Sequence, residues 1–221
     1  MPQFIGLALA GLVVASGQTP PIFNPGAPGA PSRVVTPAES VALGRTTFTT
    51  ADVQFMQHMI VHHAQAVEMV DLLKMHGDNA TVRRLGERIA LSQDAEMAQM
   101  RDWLTVRGQA LSAPDLHAGH GMDHAGMDHA AHGAGPSETP LMPGMLSPAQ
   151  MQRLAAARGR DFDRLFLQGM IQHHQGALDM VNALNNQHGS AEDPQLSDFL
   201  TGVVADQNAD ILRMNNLLST L

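Results

Sequence analysis

The chain has 221 residues, enough for one or two domains with a buried core, and a formal charge of −8 with only 13 Lys and Arg. That balance argues against nucleic acid, whose phosphates need a basic face, and one Trp with no Tyr removes the aromatic platforms on which bases stack. With zero Cys, disulfides, zinc fingers and thiolate sites are excluded, so any soft-metal affinity has to come from the 15 Met and 12 His.

Residues 1–17 read as a secretory signal. Phe4 to Ala15 is almost wholly apolar, the small residues Ala15, Ser16 and Gly17 follow, and the stretch is too short to span a bilayer. The n-region has no Lys or Arg beyond the amino terminus, so an apolar, frayed N-terminus is the alternative. No Cys follows, which excludes a lipoprotein. The expected location is periplasmic or secreted, with no membrane span in the mature chain. Residues 18–48, with Pro20, Pro21, Pro25, Pro28, Pro31 and Pro37, read as a disordered Pro/Gly-rich tether without packed elements.

The spacing predicts a helix over 51–75, capped by Thr49 or Thr50, with Asp52 at the positive end of its dipole and Gly77 as its stop. Phe55, Met59, Ala66, Val70 and Leu73 recur at helical steps. A second helix follows over 79–106, with Asp78 as cap, Gly108 as stop and an apolar line of Leu85, Ile89, Met97, Met100 and Leu104. Periodicity vanishes over 109–146. It resumes at Ser147-Pro148-Ala149-Gln150, which is N-cap Ser, Pro at the first helical position and Gln at the third. A long third helix is predicted over 148–186, with a break or kink near Gly159, and a fourth from Asp193-Pro194 to about 219.

The stretch 55–70 recurs at 166–181, with nine of 16 aligned positions identical, including His62/His173 and His63/His174. The following helices align too: Gln93 with Gln207, Glu96 with Asp210, Met100 with Met214 and Leu104 with Leu218. Each copy is a helical hairpin, 49–108 and 147–221. One hairpin alone leaves an apolar stripe wet, and two bury both stripes, so the fold expected is all-α: a four-helix bundle of two repeated hairpins joined by a flexible linker.

At about 100° per residue, Met59, His63, Ala66 and Val70 share a stripe with His62 at its edge, while Glu68 and Asp179 fall on the far side. The interior could therefore collect Met59, His62, His63, Glu96 and Met100 from one hairpin. The other would supply Met170, His173, His174, Asp210 and Met214. These residues either bind a metal or form a satisfied core network in which Glu96 or Gln93 partners the buried imidazole and Met fills gaps. The second copy follows from duplication and does not decide between the two.

The connection 109–146 holds five His and four Met in 38 residues, and Gly-Met-Asp-His-Ala occurs in tandem at 121–125 and 126–130. His117, His120, Met122, His124, Met127, His129 and His132 are its candidate ligands. Thioethers suit Cu(I) and imidazoles accept Cu(I) and Cu(II), so the mixture points to copper; zinc or nickel would leave the Met unexplained. The Met-Asp-His-x-x-Met spacing resembles motifs of exported bacterial copper-resistance proteins.

Met-Ile-x-His-His followed by Ala and Met on one helix, then Gln-x-x-acid-x-x-x-Met on the next, resembles the ferritin-like "domain of unknown function 305" family over 49–104 and 163–218. The resemblance implies a ferritin-like helical bundle in a bacterial, commonly exported protein, some members binding copper. The chain departs from the family in one respect: Val61 and Gln172 stand where Pro usually precedes the His pair. The function expected is copper sequestration, resistance or transfer outside the cytoplasm, with the metal ion and a metal-handling protein as partners and no catalysis. Two alternatives stand beside it: a non-metal interaction module of the cell envelope, and a ferritin-like redox enzyme. A di-iron centre would require Glu-x-x-His on two helices, and neither motif helix has Glu three residues before its His.

Overall fold

The computed structural model describes residues 20–25, 29, 31–43, 47–113 and 137–221. The signal segment 1–17 and the linker residues His117, His120, Met122, His124, Met127, His129 and His132 lie outside the described residues.

The chain divides into a unit ending at Thr46 and one running from Thr47 to Leu221. In the first, two strands, β1 (Ile22–Asn24) and β2 (Arg33–Val35), pair antiparallel with Ile22 opposite Val35. The helix α1 (Pro37–Leu43) follows, with Thr36 and Glu39 exchanging side-chain-to-backbone bonds across its first turn. This corrects the expectation of a stretch without packed elements. The prolines lie outside the two strands, whose β-branched Ile22, Val34 and Val35 favour pairing.

The second unit is all-α. Its long helices are α2 (Thr50–His76), α3 (Ala80–Val106), α5 (Gly159–Asn185) and α6 (Pro194–Leu218), with a short α4 (Pro148–Ala156) leading into α5. α4 starts on a capping box between Ser147 and Gln150, as the sequence predicts, and of the two candidate caps of α2 it is Thr49 that serves, in a capping box with Asp52. One local expectation changes. Asn79, not Asp78, caps α3, because its Oδ1 reaches the Thr81 and Val82 amides. The break or kink expected near Gly159 is a break: α4 ends at Ala156 with Ala157 as its cap, and Gly159 opens α5 with φ +58°, a left-handed value that breaks a helix and suits glycine.

α2 packs on α3 and α5 on α6, and the hairpins join through α2 with α5 and α3 with α6. Aligned acids tie them together at the ends. The fully buried Asp52 accepts from the Ala191 amide at 2.8 Å in the α5–α6 loop. Its counterpart Asp163 accepts from the Asp78 and Asn79 amides, the latter at 2.8 Å, in the α2–α3 loop. Each motif helix thereby holds the other hairpin's turn and satisfies amides that would otherwise be orphaned.

Two apolar clusters fill the core. One draws on Val53 to Ile60 of α2, Met97 to Leu104 of α3, Ala177 to Leu184 of α5 and Leu196 to Val203 of α6. The other draws on Ala66 to Leu73, Val82 to Ala90, Phe162 to Met170 and Met214 of the same four helices. Every long helix thus contributes to both clusters and changes from one to the other near its middle.

Candidate metal centre

The change-over is polar. Between the two clusters each helix buries a pair of polar residues: His62 and His63 on α2, Gln93 and Glu96 on α3, His173 and His174 on α5, Gln207 and Asp210 on α6. Glu68 and Asp179, expected on the far side, are exposed.

The His62 and His173 rings face each other across the hairpin junction with centroids 3.9 Å apart, tilted by 39°. Nε2 of His62 donates to the Pro143 carbonyl at 3.0 Å, and Nε2 of His173 donates to the His62 carbonyl at 2.8 Å. His63 Nε2 donates to Glu96 Oε2 at 2.6 Å, and Ser92 supports the same carboxylate through Oε1 at 3.1 Å. In the His62 and His173 rings the Nε2 proton is therefore committed to an oxygen, and Nδ1 carries the lone pair. The Nδ1 atoms of His62, His63 and His173 are buried with no hydrogen-bond partner. Metal-binding imidazoles show this arrangement, with one nitrogen anchored to an oxygen and the other presenting its lone pair.

His174 differs. Its Nε2 lies 3.9 Å from Asp210 Oδ2, beyond hydrogen-bond range, and neither ring nitrogen has a hydrogen-bond partner. Asp210 is instead gripped by Arg88 at 2.5 Å and Arg213 at 2.9 Å. Burial works to raise the Asp210 carboxyl, but His174, Arg88 and Arg213 outweigh it and hold it below its ordinary value. Burial pushes the His62 imidazole down to about 3, with His63 adding to the effect. His173 is driven well below its ordinary value by burial and then by its His neighbours. Both rings are accordingly neutral at physiological pH, the form that ligates metals.

The structure brings together the predicted histidines and acids: His63 meets Glu96, and His174 approaches Asp210. Met59 and Met100 are fully buried in the first apolar cluster, Met170 and Met214 in the second. Among the described residues no three His, Asp or Glu side chains are grouped closely enough to hold an ion. The layer therefore offers its lone pairs one or two at a time, with thioethers in the flanking clusters.

What the sequence reading missed is the end of the linker. Residues 142–146 lie as an ordered strap over α2 and α5, burying Met142, Met145 and Leu146. Gln65 receives the Leu146 amide on Oε1 at 2.7 Å and donates through Nε2 to the Leu146 carbonyl at 2.9 Å, while Gln172 donates to Met145 O at 3.2 Å. Gly176 admits the strap: a Cβ there would lie 2.1 Å from Pro143 O and 2.4 Å from the Gly144 Cα. The signal was present as a mismatch between the copies, because Gln65 aligns with Gly176.

Among the described residues no helix is long and apolar enough to cross a membrane. No curated protein matches the chain. A crystal structure of a DUF305 fragment from Deinococcus radiodurans superimposes with a TM-score of 0.62 at 30% identity, covering 79% of this chain and 99% of that one. A DUF305 protein from Streptomyces coelicolor, inferred to be secreted, gives 0.61 at 28% identity, with 77% and 93% covered. CopM in its Cu(I)-bound form gives 0.54 at 22% identity, with 79% and 98% covered, a likeness of fold. Residues 52–218 match the family described as domain of unknown function (DUF305), and the chain belongs to that family.

Proposed function

We propose that the protein is an exported copper-binding protein that sequesters copper or passes it on outside the cytoplasm, without catalysing a reaction. The observation that carries this reading is the strap. It joins the two sets of soft and borderline donors, because the linker bearing His117 to His132 ends on the imidazole layer, with Pro143 orienting His62. The ligand chemistry supports copper: imidazole and thioether with no thiolate, in a tandem repeat that mixes both. CopM, which shares the fold, has been solved with Cu(I), Cu(II) and silver bound. The apolar 1–17 segment supports export, to a periplasmic or secreted destination where a metal-handling protein would receive the ion.

In this reading the linker captures copper and the core His set adds a drier, tighter store. The test is a competitive titration of the apo-protein with Cu(I), Cu(II) and Zn(II), beside a deletion of 117–132 and a His63→Ala/His174→Ala double variant. Copper should be preferred over zinc, the deletion should bind fewer ions, and the double variant should lose the tightest fraction. Identical copper binding by all three proteins, or none by any, overturns the reading. Partner capture indifferent to chelator and to these variants would point to an interaction module instead.

A further inference from the structure

We propose that the surface cleft between α3 and α6 is a site for a small phosphate-class dianion, which binds Arg88 and Arg213 by taking them from Asp210. The cleft has a volume of about 360 Å³. Arg84, Leu85 and Arg88 line it from α3, and Arg213, Asn216 and Leu217 from α6. Arg84 and Arg88 are one turn apart on α3, so both reach the same face.

Arg88 Nη2 and Arg213 Nη1 donate to the same atom, Asp210 Oδ1, at 2.5 and 2.9 Å. Their charged ends already converge on a single acceptor, as they would on one oxygen of a phosphate. Both arginines are half-exposed, while the carboxylate side chain beneath them is only 10% exposed. Arg84 spends its hydrogen bond on the Thr81 hydroxyl, at 3.0 Å. Three of the 13 Lys and Arg of an acidic chain thus line one cleft, and no carboxylate lines it. Asp210 offsets one of the three charges. A dianion meets the remaining two, whereas chloride or a single carboxylate leaves one unmet.

The buried side of the same carboxylate supplies an independent observation. Asp210 Oδ2 stops 3.9 Å from His174 Nε2, and the fully buried His174 has both ring nitrogens without a hydrogen-bond partner. A polar group orphaned in a core is costly and calls for an explanation. Two arginines holding Oδ1 from the surface supply one. With an anion on the arginines Asp210 is released, and a shift of about 1 Å brings Oδ2 into bonding range of His174. The second hairpin then matches the first, where His63 and Glu96 bond at 2.6 Å. The site needs no metal and is tested in the apo chain, so it stands or falls apart from copper binding.

The experiment titrates the metal-free full chain, 15N-labelled at Arg and His, with inorganic phosphate in mildly alkaline buffer, beside chloride at equal ionic strength. The Arg88 and Arg213 guanidinium resonances should shift and saturate with phosphate alone, and the His174 ring should shift at the same midpoint. Arg88→Gln and Arg213→Gln should each weaken binding by about fivefold or more. Asp210→Asn removes the competing carboxylate and should tighten binding about threefold or more. Glu138→Gln, an equal charge change outside the cleft, should leave it unchanged. Should a variant fail to fold, the wild-type Arg and His174 shifts decide. Guanidinium shifts that are alike in phosphate and chloride overturn the proposal, as does binding unaltered in both arginine variants. A His174 ring that stays still while the arginines saturate overturns it too, and so does tightening in Glu138→Gln equal to that in Asp210→Asn. Capture by phosphatidic acid vesicles with no response to inorganic phosphate also overturns it, because the cleft would then serve a membrane surface.

Discussion

The two hairpins carry the same polar pattern and arrive at different electrostatics. In the first, His63 and Glu96 form a direct hydrogen bond of 2.6 Å. In the second, the aligned His174 and Asp210 stand 3.9 Å apart, because Arg88 and Arg213 hold the carboxylate. The aligned positions in the first hairpin's frame explain the difference: Gly202 stands where Arg88 would be and Gln99 where Arg213 would be. Asp is also shorter than Glu by one methylene, so Asp210 has less reach toward its imidazole. A duplicated motif therefore places the rings, while residues outside the motif decide which of them is already engaged.

The largest expected effect concerns what the hairpins share. His62 and His173 are held neutral by burial, His62 down to about 3 from an ordinary 6.5. Above pH 6.5 their contribution to stability is complete. As pH falls from there toward 3, the unfolded chain takes up protons that the folded layer refuses, and stability declines. Urea midpoints followed across that range should fall steeply for the wild type and less steeply for His62→Gln, whose amide can still donate to Pro143. A flat wild-type profile would show that the layer is not a neutral buried pair.

Next comes the strap, which breaks the symmetry between hairpins. Gly176→Ala places a methyl against Pro143 O and should cost about 1–3 kcal/mol in thermal unfolding, the usual penalty of overpacking. A variant as stable as the wild type would mean that the strap does not hold its position. Comparable in its first half and smallest in its second is the contrast between the acids. Glu96→Gln weakens a buried charge-assisted bond worth about 1.5–3 kcal/mol. Asp210→Asn releases two arginines that are half-exposed, at 49% and 52%, and can re-solvate, so about 0–1 kcal/mol is expected. Equal losses would erase the distinction between the hairpins.

Much of this was legible in the sequence, for physical reasons. Helical spacing, the N-cap candidates Thr49 and Thr50, the capping residues at Ser147 and Gln150, and the repeat placed the four long helices. The shared stripe of His63 with Met59, and of Glu96 with Met100, placed the polar layer. Other features were not legible. The ordering of 142–146 depends on contacts with Gln65, Gln172 and Gly176, far apart in the chain and invisible to local periodicity. The grip of Arg88 on Asp210 is likewise a contact between α3 and α6. The β1–β2 pairing was hidden by a proline-rich composition that describes the connection better than the strands.

The central claim is that this chain selects copper. A native mass spectrum of the mature protein after exposure to equimolar Cu(I), Zn(II) and Ni(II) tests it most directly. Several copper ions per chain should be retained, with fewer after deletion of 117–132. Zinc or nickel retained in preference to copper, or a chain that emerges metal-free, would contradict it.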